Sequence, residues 1–175
     1  MIPFAFADLA RAAGKNPDDL PEELGSRTLT GVSTDTRKVK KGDVFFGIRG
    51  DRFDGSDFAA DAVKAGASLA VVNVASGISQ NHTMPLLRVS DTTKALGDAA
   101  RAYRARFSGM VAAVTGTNGK TTVKEMLVKV LSSRFSVHGT SGNLNNQIGL
   151  PLSVFGLDVT HERAVFEMGM SASGE

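Results

Sequence analysis

The segment that most constrains this chain is an apolar run followed at once by a glycine-rich turn and an amphipathic helix. The run is Met110–Val114, and the turn reads Gly-Thr-Asn-Gly-Lys-Thr-Thr over residues 116–122. The next apolar residues have helical spacing and are Val123, Met126, Leu127, Val130 and Leu131. This pattern predicts a helix that buries this stripe and leaves Lys124, Glu125 and Lys129 on its polar side. A central strand over Met110–Val114, a turn and a helix in this order predict α/β architecture.

Glycine turns that lead into a helix are typical phosphate sites. Glycine lets backbone N–H groups turn inward without a Cβ clash, and the helix N-terminus adds the positive end of its dipole. The predicted phosphate-binding residues are Gly116, Thr117, Asn118, Gly119, Lys120, Thr121 and Thr122. Lys120 would reach the β- and γ-phosphates, and the Thr121 hydroxyl would ligate Mg²⁺. Val114 stands where the strict P-loop pattern has its first glycine, so the turn is a shortened form, and the alternative is a glycine turn with an exposed lysine.

Helical and strand patterns also alternate upstream of the turn. We predict a first helix that Gly14 and Pro17 end, a short helix over 56–65, and a long helix from about Ser90 that buries Leu96, Ala100, Tyr103 and Phe107. Strands are predicted at 29–32, 43–48, 69–74 and 86–89. The predicted fold is therefore α/β with largely parallel pairing. We place a small N-terminal α/β domain at 1–107 and the first part of a P-loop α/β domain at 108–175.

Composition excludes several classes of protein. The 175 residues are 42% apolar, which is enough to bury cores, and a net charge of +2 gives no excess of positive charge for nucleic acid. The chain has no cysteine, which excludes disulfides, zinc–thiolate sites and a cysteine nucleophile. We expect no membrane span, since no apolar run approaches roughly 18 residues. The N-terminus has no basic leader, so we expect a cytoplasmic protein.

Several further motifs resemble one family. They are Gly142–Leu152 (GNLNNQIGLPL), Ala164–Gly169 ending in Glu-x-Gly, Thr34–Arg37 (TDTR), Gly42–Phe46 (GDVFF) and Asp54-Gly55. Together with the GTNGKTT turn they resemble the Mur ligase superfamily, in the same order along the chain. Within it, Lys124-Glu125-Met126 and the doubled Asn145-Asn146 look most like the MurF branch. Members are considerably longer, so we expect this chain to be the front portion of one and inactive by itself.

The resemblance implies an activity and its cofactors. MurF-type ligases are ATP-dependent and join D-alanyl-D-alanine to UDP-N-acetylmuramoyl-tripeptide in peptidoglycan synthesis, through an acyl phosphate that the incoming amine attacks. By resemblance, Lys120 is the catalytic residue, and Thr121 with Glu167 holds Mg²⁺. The alternative for Glu167 is a solvated charge at a strand end. A sheet that ends after its first strands exposes apolar surface, so we expect residues 108–175 to self-associate. We expect the full-length protein to be monomeric.

The resemblance also implies a uridine-nucleotide site built from loops. Its residues would be Thr34, Thr36, Asp51, Arg52 and Phe53, with Asn143 and Asn146 near the phosphate and muramyl path. The two asparagines could instead form turns, and Asp35 with Arg37 could form an internal ion pair. We expect Phe45, Phe46 and Phe58 to be core residues. Ser56 departs from the family, which often has histidine there.

Other functions stay open at this stage. The chain could be a non-catalytic nucleotide-binding module, a MurE-type ligase that adds the third peptide residue, or a relative of the folylpolyglutamate synthetases. The GNLNN segment disfavours the MurE branch, and residues 26–107 disfavour the folate enzymes. His82, His138 and His161 have no metal-site spacing and are predicted to be surface residues.

Overall fold

A computed structural model describes residues 1–78 and 84–169 of the chain. Contacts divide the chain into two compact units, and each has a parallel sheet flanked by helices. The N-terminal unit is Pro3–Ala102, and the C-terminal unit contains Met1–Ile2 and the chain from Tyr103 onward. This architecture confirms the predicted α/β class. Within the described ranges, no helix is long and apolar enough to cross a membrane.

The N-terminal unit is built on a four-stranded parallel sheet in the order β1-β2-β3-β4. Its elements are α1 (Phe6–Ala12), α2 (Glu22–Gly25), β1 (Val32–Ser33), β2 (Val44–Phe46), α3 (Ala59–Lys64), β3 (Leu69–Asn73), β4 (Leu86–Val89) and α4 (Thr92–Arg104). Short 3₁₀ turns cover Pro17–Asp19, Thr36–Lys38 and Gly55–Phe58. All the predicted helices and strands of this unit are present. The strand predicted at 29–32 begins at Val32, because Leu29 N–H donates to Phe4 O and pairs there with the N-terminal segment instead.

The core of this unit lies on both sides of β2 and β3. All of β2 and Leu69–Val72 of β3 are buried, as a parallel strand covered on both faces requires. Helix α4 contributes Leu96 and Ala100, which are buried as the spacing predicted. The buried Asp43 holds the turn before β2, since its carboxylate accepts from Lys40 N–H at 2.8 Å.

The C-terminal unit is built on a three-stranded parallel sheet in the order β5-β7-β6. Its elements are β5 (Met110–Val114), α5 (Lys120–Leu131), β6 (Val137–Gly139), α6 (Gly149–Val154) and β7 (Arg163–Glu167). The prediction that Met110–Val114 is a central strand is wrong for the described residues. There β7 is the central strand, because it pairs with β5 on one side and with β6 on the other.

The division between the units falls inside α4 rather than at the expected boundary near Phe107. Tyr103 is fully buried, its hydroxyl donates to Leu157 O at 2.6 Å, and the hydroxyl oxygen accepts from Ile2 N–H at 2.8 Å. Its ring centroid lies 5.0 Å from that of Phe155. These contacts assign the last turn of α4, together with Ile2, to the C-terminal unit.

Helix α5 presents a different face to the sheet from the one that its apolar stripe predicts. Val123, Met126 and Val130 are 47%, 62% and 69% exposed, whereas Lys124 is only 1% exposed. The helix packs closely on β6, where a Cβ at Gly139 would lie 2.7 Å from Val128 Cγ2. This approach turns Lys124 and Val128 toward the sheet, and it leaves the predicted core stripe largely in solvent.

Candidate functional site

The turn between β5 and α5 has the backbone conformation that the glycines predict. Gly116 and Gly119 have φ angles of 143° and 76°, which side chains rarely adopt. Gly119 stands at the N-cap of α5, and no side chain caps the helix there. The first N–H groups of α5 are therefore available to an external acceptor such as a phosphate oxygen.

Lys120 and the two threonines that follow it begin helix α5. The Lys120 ammonium donates to Gly116 O at 2.6 Å. Its positive charge therefore lies at the glycine turn, where a phosphate would bind. Thr121 and Thr122 are exposed on the first turn of the helix, as are Thr117 and Asn118 in the loop before it. The structure thus gathers every predicted phosphate-binding residue at the C-terminal end of β5.

Glu167 is the last residue of β7 and lies beside the start of this turn. Its strand partner is Val114, the last residue of β5. The side chain is only 2% exposed, so it is not a solvated charge at a strand end. Oε1 accepts from Asn145 Nδ2 at 2.8 Å, while the buried Oε2 has no hydrogen-bond partner among the residues that the structure describes.

A bound cation would satisfy this orphaned oxygen. Buried carboxylate oxygens normally have a partner, and Mg²⁺ prefers carboxylate and hydroxyl oxygen ligands. Thr121 offers such a hydroxyl on helix α5, which packs against β7. The donor types at Thr121 and Glu167 therefore fit magnesium. No group of three or more His, Cys, Asp or Glu residues in the described part of the chain could hold a metal by itself.

In the asparagine-rich loop before α6, some polar side chains stabilise the loop itself and others lie at the candidate site. Asn146 Oδ1 accepts from Gly149 N–H at 2.8 Å and from Ile148 N–H at 3.1 Å, which supports the turn-forming interpretation of its side-chain oxygen. Asn143 is exposed. The sequence analysis did not predict that the Asn145 side chain donates a hydrogen bond to Glu167. The doubled asparagine at 145–146 was the only sequence feature that pointed to this residue.

The N-terminal unit contains a separate cavity of about 760 Å³. It is lined by Thr34, Asp35, Thr36, Arg37, Phe45, Ile48, Gly50, Asp51, Arg52, Phe53, Gly55 and Phe58. These include all five residues predicted in this unit for the uridine nucleotide. Phe45 and Phe46 are buried as predicted. The prediction that Phe58 is a core residue is wrong, because it is 42% exposed on the cavity wall.

An ion pair fixes one wall of this cavity. Arg37 donates from Nε and Nη2 to the two carboxylate oxygens of Asp35, at 2.9 and 2.8 Å. The hydrogen bonds from the Arg37 side chain and backbone lower the pKa of Asp35 to about 2. Asp35 also begins the 3₁₀ turn that carries Thr36. The internal ion pair between Asp35 and Arg37, one of the two alternatives predicted from the sequence, is therefore present. It lies in the loop that carries Thr34 and Thr36.

Two glycines allow two chain segments beside this cavity to approach each other closely. Gly55 N–H donates to Ile48 O at 3.0 Å, and a Cβ at Gly55 would lie 2.4 Å from that oxygen. A Cβ at Gly47 would likewise lie 2.7 Å from Ser56 N, so the two chain segments can approach only without side chains. The loop between them projects Phe53, which is 72% exposed.

Ser56, which replaces the frequent histidine of the family, has a structural role. It is fully buried, and its hydroxyl oxygen accepts from Asn73 N–H at 3.0 Å. This bond attaches the start of the 3₁₀ turn to the end of β3.

The described histidines are not simple surface residues. His138 and His161 are half-buried with ring centroids 5.2 Å apart, and His138 Nε2 lies 2.7 Å from Ser153 O. Burial lowers the pKa of His138 despite this hydrogen bond. The prediction that both lie on the surface is therefore wrong, and His82 lies outside the described residues.

Comparison with known proteins supports the same assignment of both units. Residues 28–104 match the Mur ligase family, catalytic domain, and residues 114–175 match the Mur ligase middle domain. The UDP-N-acetylmuramoyl-tripeptide–D-alanyl-D-alanine ligase of Bacillus subtilis (strain 168) is 44% identical over 97% of this chain. The chain spans 36% of that relative's length.

Solved structures agree with the sequence matches. MurF from Acinetobacter baumannii superposes with a TM-score of 0.83 at 31% identity, over 98% of this chain and 37% of that one. MurF from Thermotoga maritima, solved in complex with ADP, superposes with a TM-score of 0.72 at 36% identity, over 82% of this chain and 33% of that one. The motifs, the fold and these likenesses coincide along the chain, which belongs to the Mur ligase family.

Proposed function

We propose that the chain forms the UDP-substrate-binding domain and the first part of the ATP-binding domain of a MurF-type ligase. The proposed reaction of the whole protein joins D-alanyl-D-alanine to UDP-N-acetylmuramoyl-tripeptide with ATP, as a carbon–nitrogen ligase of cytoplasmic peptidoglycan synthesis. The observation that carries the proposal is Glu167, a buried carboxylate with one orphaned oxygen beside the glycine turn. The relatives described above are named UDP-N-acetylmuramoyl-tripeptide–D-alanyl-D-alanine ligase or MurF, which supports this branch over the MurE type.

The proposed chemistry begins with the phosphate groups of ATP. Lys120 and the N–H groups of residues 116–122 would bind the β- and γ-phosphates, because they present positive charge and unsatisfied donors at one place. Thr121 and Glu167 would hold Mg²⁺, which supplies neutralisation of phosphate charge when it is bound. In-line transfer of the γ-phosphoryl group to the substrate carboxylate depends mainly on such positioning and charge neutralisation.

The cavity of the N-terminal unit would bind the uridine diphosphate portion of the substrate. The Thr34 and Thr36 hydroxyls can exchange hydrogen bonds with uracil, and the exposed ring of Phe53 offers a stacking surface. Arg52 brings a positive charge suited to the diphosphate. Asp51 completes the same wall. For Asn143 and Asn146, contact with the phosphate and muramyl path stays a prediction.

Calorimetric titration of the chain tests both sites separately. We expect binding of UDP-N-acetylmuramoyl-tripeptide, weakened by Thr36→Ala and unchanged by Thr28→Ala at an exposed position in the same unit. We expect binding of Mg-ATP, weakened about tenfold or more by Lys120→Ala, since a hydrogen bond to a charged group contributes about 1.5–3 kcal/mol. Lys129→Ala, an exposed lysine on the same helix, is the control.

The two titrations can fail independently. A folded chain that binds neither ligand would contradict both site assignments for this chain. Binding of the nucleotide sugar without Mg-ATP would leave only the N-terminal assignment.

The exposed stripe of α5 also supports the expectation that the chain self-associates when it is studied alone.

A further inference from the structure

Among the residues that the structure describes, Lys124 is the most deeply buried charged side chain that the proposed reaction does not use. It is 1% exposed, although its place in the sequence predicts the polar side of α5. Its ammonium donates to Thr140 O at 2.8 Å and to Glu125 Oε1 at 2.5 Å. A buried charge is costly unless it is paired and hydrogen-bonded, so this lysine requires the partners that surround it.

Thr140, the residue after β6, connects Lys124 to β7. It is 2% exposed, and all of its polar groups form hydrogen bonds. The carbonyl accepts from Lys124, the N–H donates to Val165 O at 3.1 Å, and the hydroxyl oxygen accepts from Glu167 N–H at 3.0 Å. A single residue therefore joins the helix of the glycine turn to the strand end that carries Glu167.

The same loop contacts Glu167 a second time. Asn145 Nδ2 donates to Glu167 Oε1, and Asn145 O accepts from Gly169 N–H at 2.7 Å. The loop from Thr140 to Asn145 is thus anchored to β7 at both ends. Lys124 binds the loop at Thr140. Asn145, at the other end of the loop, occupies Oε1 of Glu167, while Oε2 has no partner in the described residues.

We propose that Lys124 is a positioning residue that acts through Thr140 to hold Glu167 in the orientation in which Oε2 is presented to a divalent cation. This inference rests on the proposed function, in which Glu167 is a magnesium ligand. Residues that hydrogen-bond to a metal ligand and orient it contribute to metal binding, and their substitution typically lowers metal affinity by about 10- to 100-fold. Lys124 and Thr140 contact the ligand residue or its loop and need not touch the nucleotide.

The test is a pair of measurements on the chain carrying Lys124→Met, which keeps an unbranched side chain, shorter by one atom, and removes its charge. We expect the Mg²⁺ affinity of the ATP-saturated chain to fall about 10-fold or more. Hydrogen exchange at the Glu167 amide, followed by NMR without nucleotide, should become faster. Binding of ATP in the absence of Mg²⁺ should stay within about threefold of wild type, because the glycine turn is not altered.

A second pair of variants keeps the inference testable if Lys124→Met does not fold. Thr140→Val removes the hydroxyl that accepts from Glu167 N–H, and Thr140→Ser retains it. We expect the valine variant to lose Mg²⁺ affinity and the serine variant to keep it. Equal Mg²⁺ affinity in both would overturn the inference.

Failure of the inference is distinguishable from failure of the proposed function. Wild-type Mg²⁺ affinity in Lys124→Met, with an unchanged Glu167 amide, overturns the positioning role and leaves the metal role of Glu167 in place. A wild-type chain that binds ATP without any Mg²⁺ dependence overturns that metal role and the inference with it. A variant that only loses thermal stability, with its Mg²⁺ affinity unchanged, indicates a structural lysine and also overturns the inference.

Discussion

The two units of the chain bury their apolar residues to very different extents. In the N-terminal unit, β2 and β3 are covered on both faces, and two of its exposed aromatic residues, Phe53 and Phe58, line the candidate uridine cavity. In the C-terminal unit, β5 buries only Val114, and Met126 and Val130 of α5 are mostly exposed. The difference shows that an apolar stripe identifies a face of a helix without identifying what covers it.

The largest expected effect contrasts a buried residue with an exposed one. Phe46→Ala removes a fully buried side chain from the N-terminal core and should lower the free energy of unfolding by about 3–5 kcal/mol. Met126→Ala, at a position that is 62% exposed, should change it by no more than about 0.5 kcal/mol. Urea unfolding followed by circular dichroism measures both values. Comparable losses would show that the α5 stripe is covered in solution.

The second prediction concerns what covers the α5 stripe. Sedimentation velocity should show an average mass that rises with concentration, because the stripe is apolar and exposed. Met126→Lys combined with Val130→Lys should weaken this association about tenfold, since each introduces a charge where an apolar contact would form. Val74→Lys, at an exposed valine of the N-terminal unit, should leave it unchanged. A wild-type chain that stays monomeric at every concentration contradicts the prediction.

The smallest expected effect is a pH dependence of the C-terminal unit. Burial lowers the pKa of His138 below its ordinary 6.5, so the unfolded chain takes up a proton there before the folded chain does. Stability should therefore decrease as the pH falls below about 6.5 and toward the folded pKa. Asp158 and His161 are the charged or titratable groups that act on this histidine, and they oppose each other.

Fluorescence of the chain's one tyrosine can measure this effect, since Tyr103 is buried in the same unit and the chain has no tryptophan. The urea midpoint should be lower at pH 5.5 than at pH 7.5 for wild type. His138→Gln should reduce that difference. An identical difference in the variant would assign the pH dependence to another group.

Much of the fold and of the phosphate site could be predicted from the sequence, because both depend on local patterns. The apolar run at 110–114, the two glycines and the helix after them are contiguous, and they form the expected succession of strand, turn and helix. The burial of Lys124 could not be predicted, since its carbonyl partner on Thr140 is 16 residues away and is brought close only by the packing of α5 on β6. Contact between Asn145 and Glu167 likewise depends on a separation of 22 residues.

The contact between Ile2, Tyr103 and Leu157 has a consequence for the order in which the protein folds during synthesis. Every strand of the N-terminal unit precedes Ala102, so that unit can fold while the ribosome is still making the rest. Ile2 emerges earlier than that unit, yet its hydrogen-bond acceptor is Tyr103, whose own acceptor, Leu157, is made 54 residues after Tyr103. The hydrogen bonds that join Ile2, Tyr103 and Leu157 can therefore form only after Leu157 has been made, and a slow step at that point would delay the C-terminal unit while leaving the N-terminal unit formed.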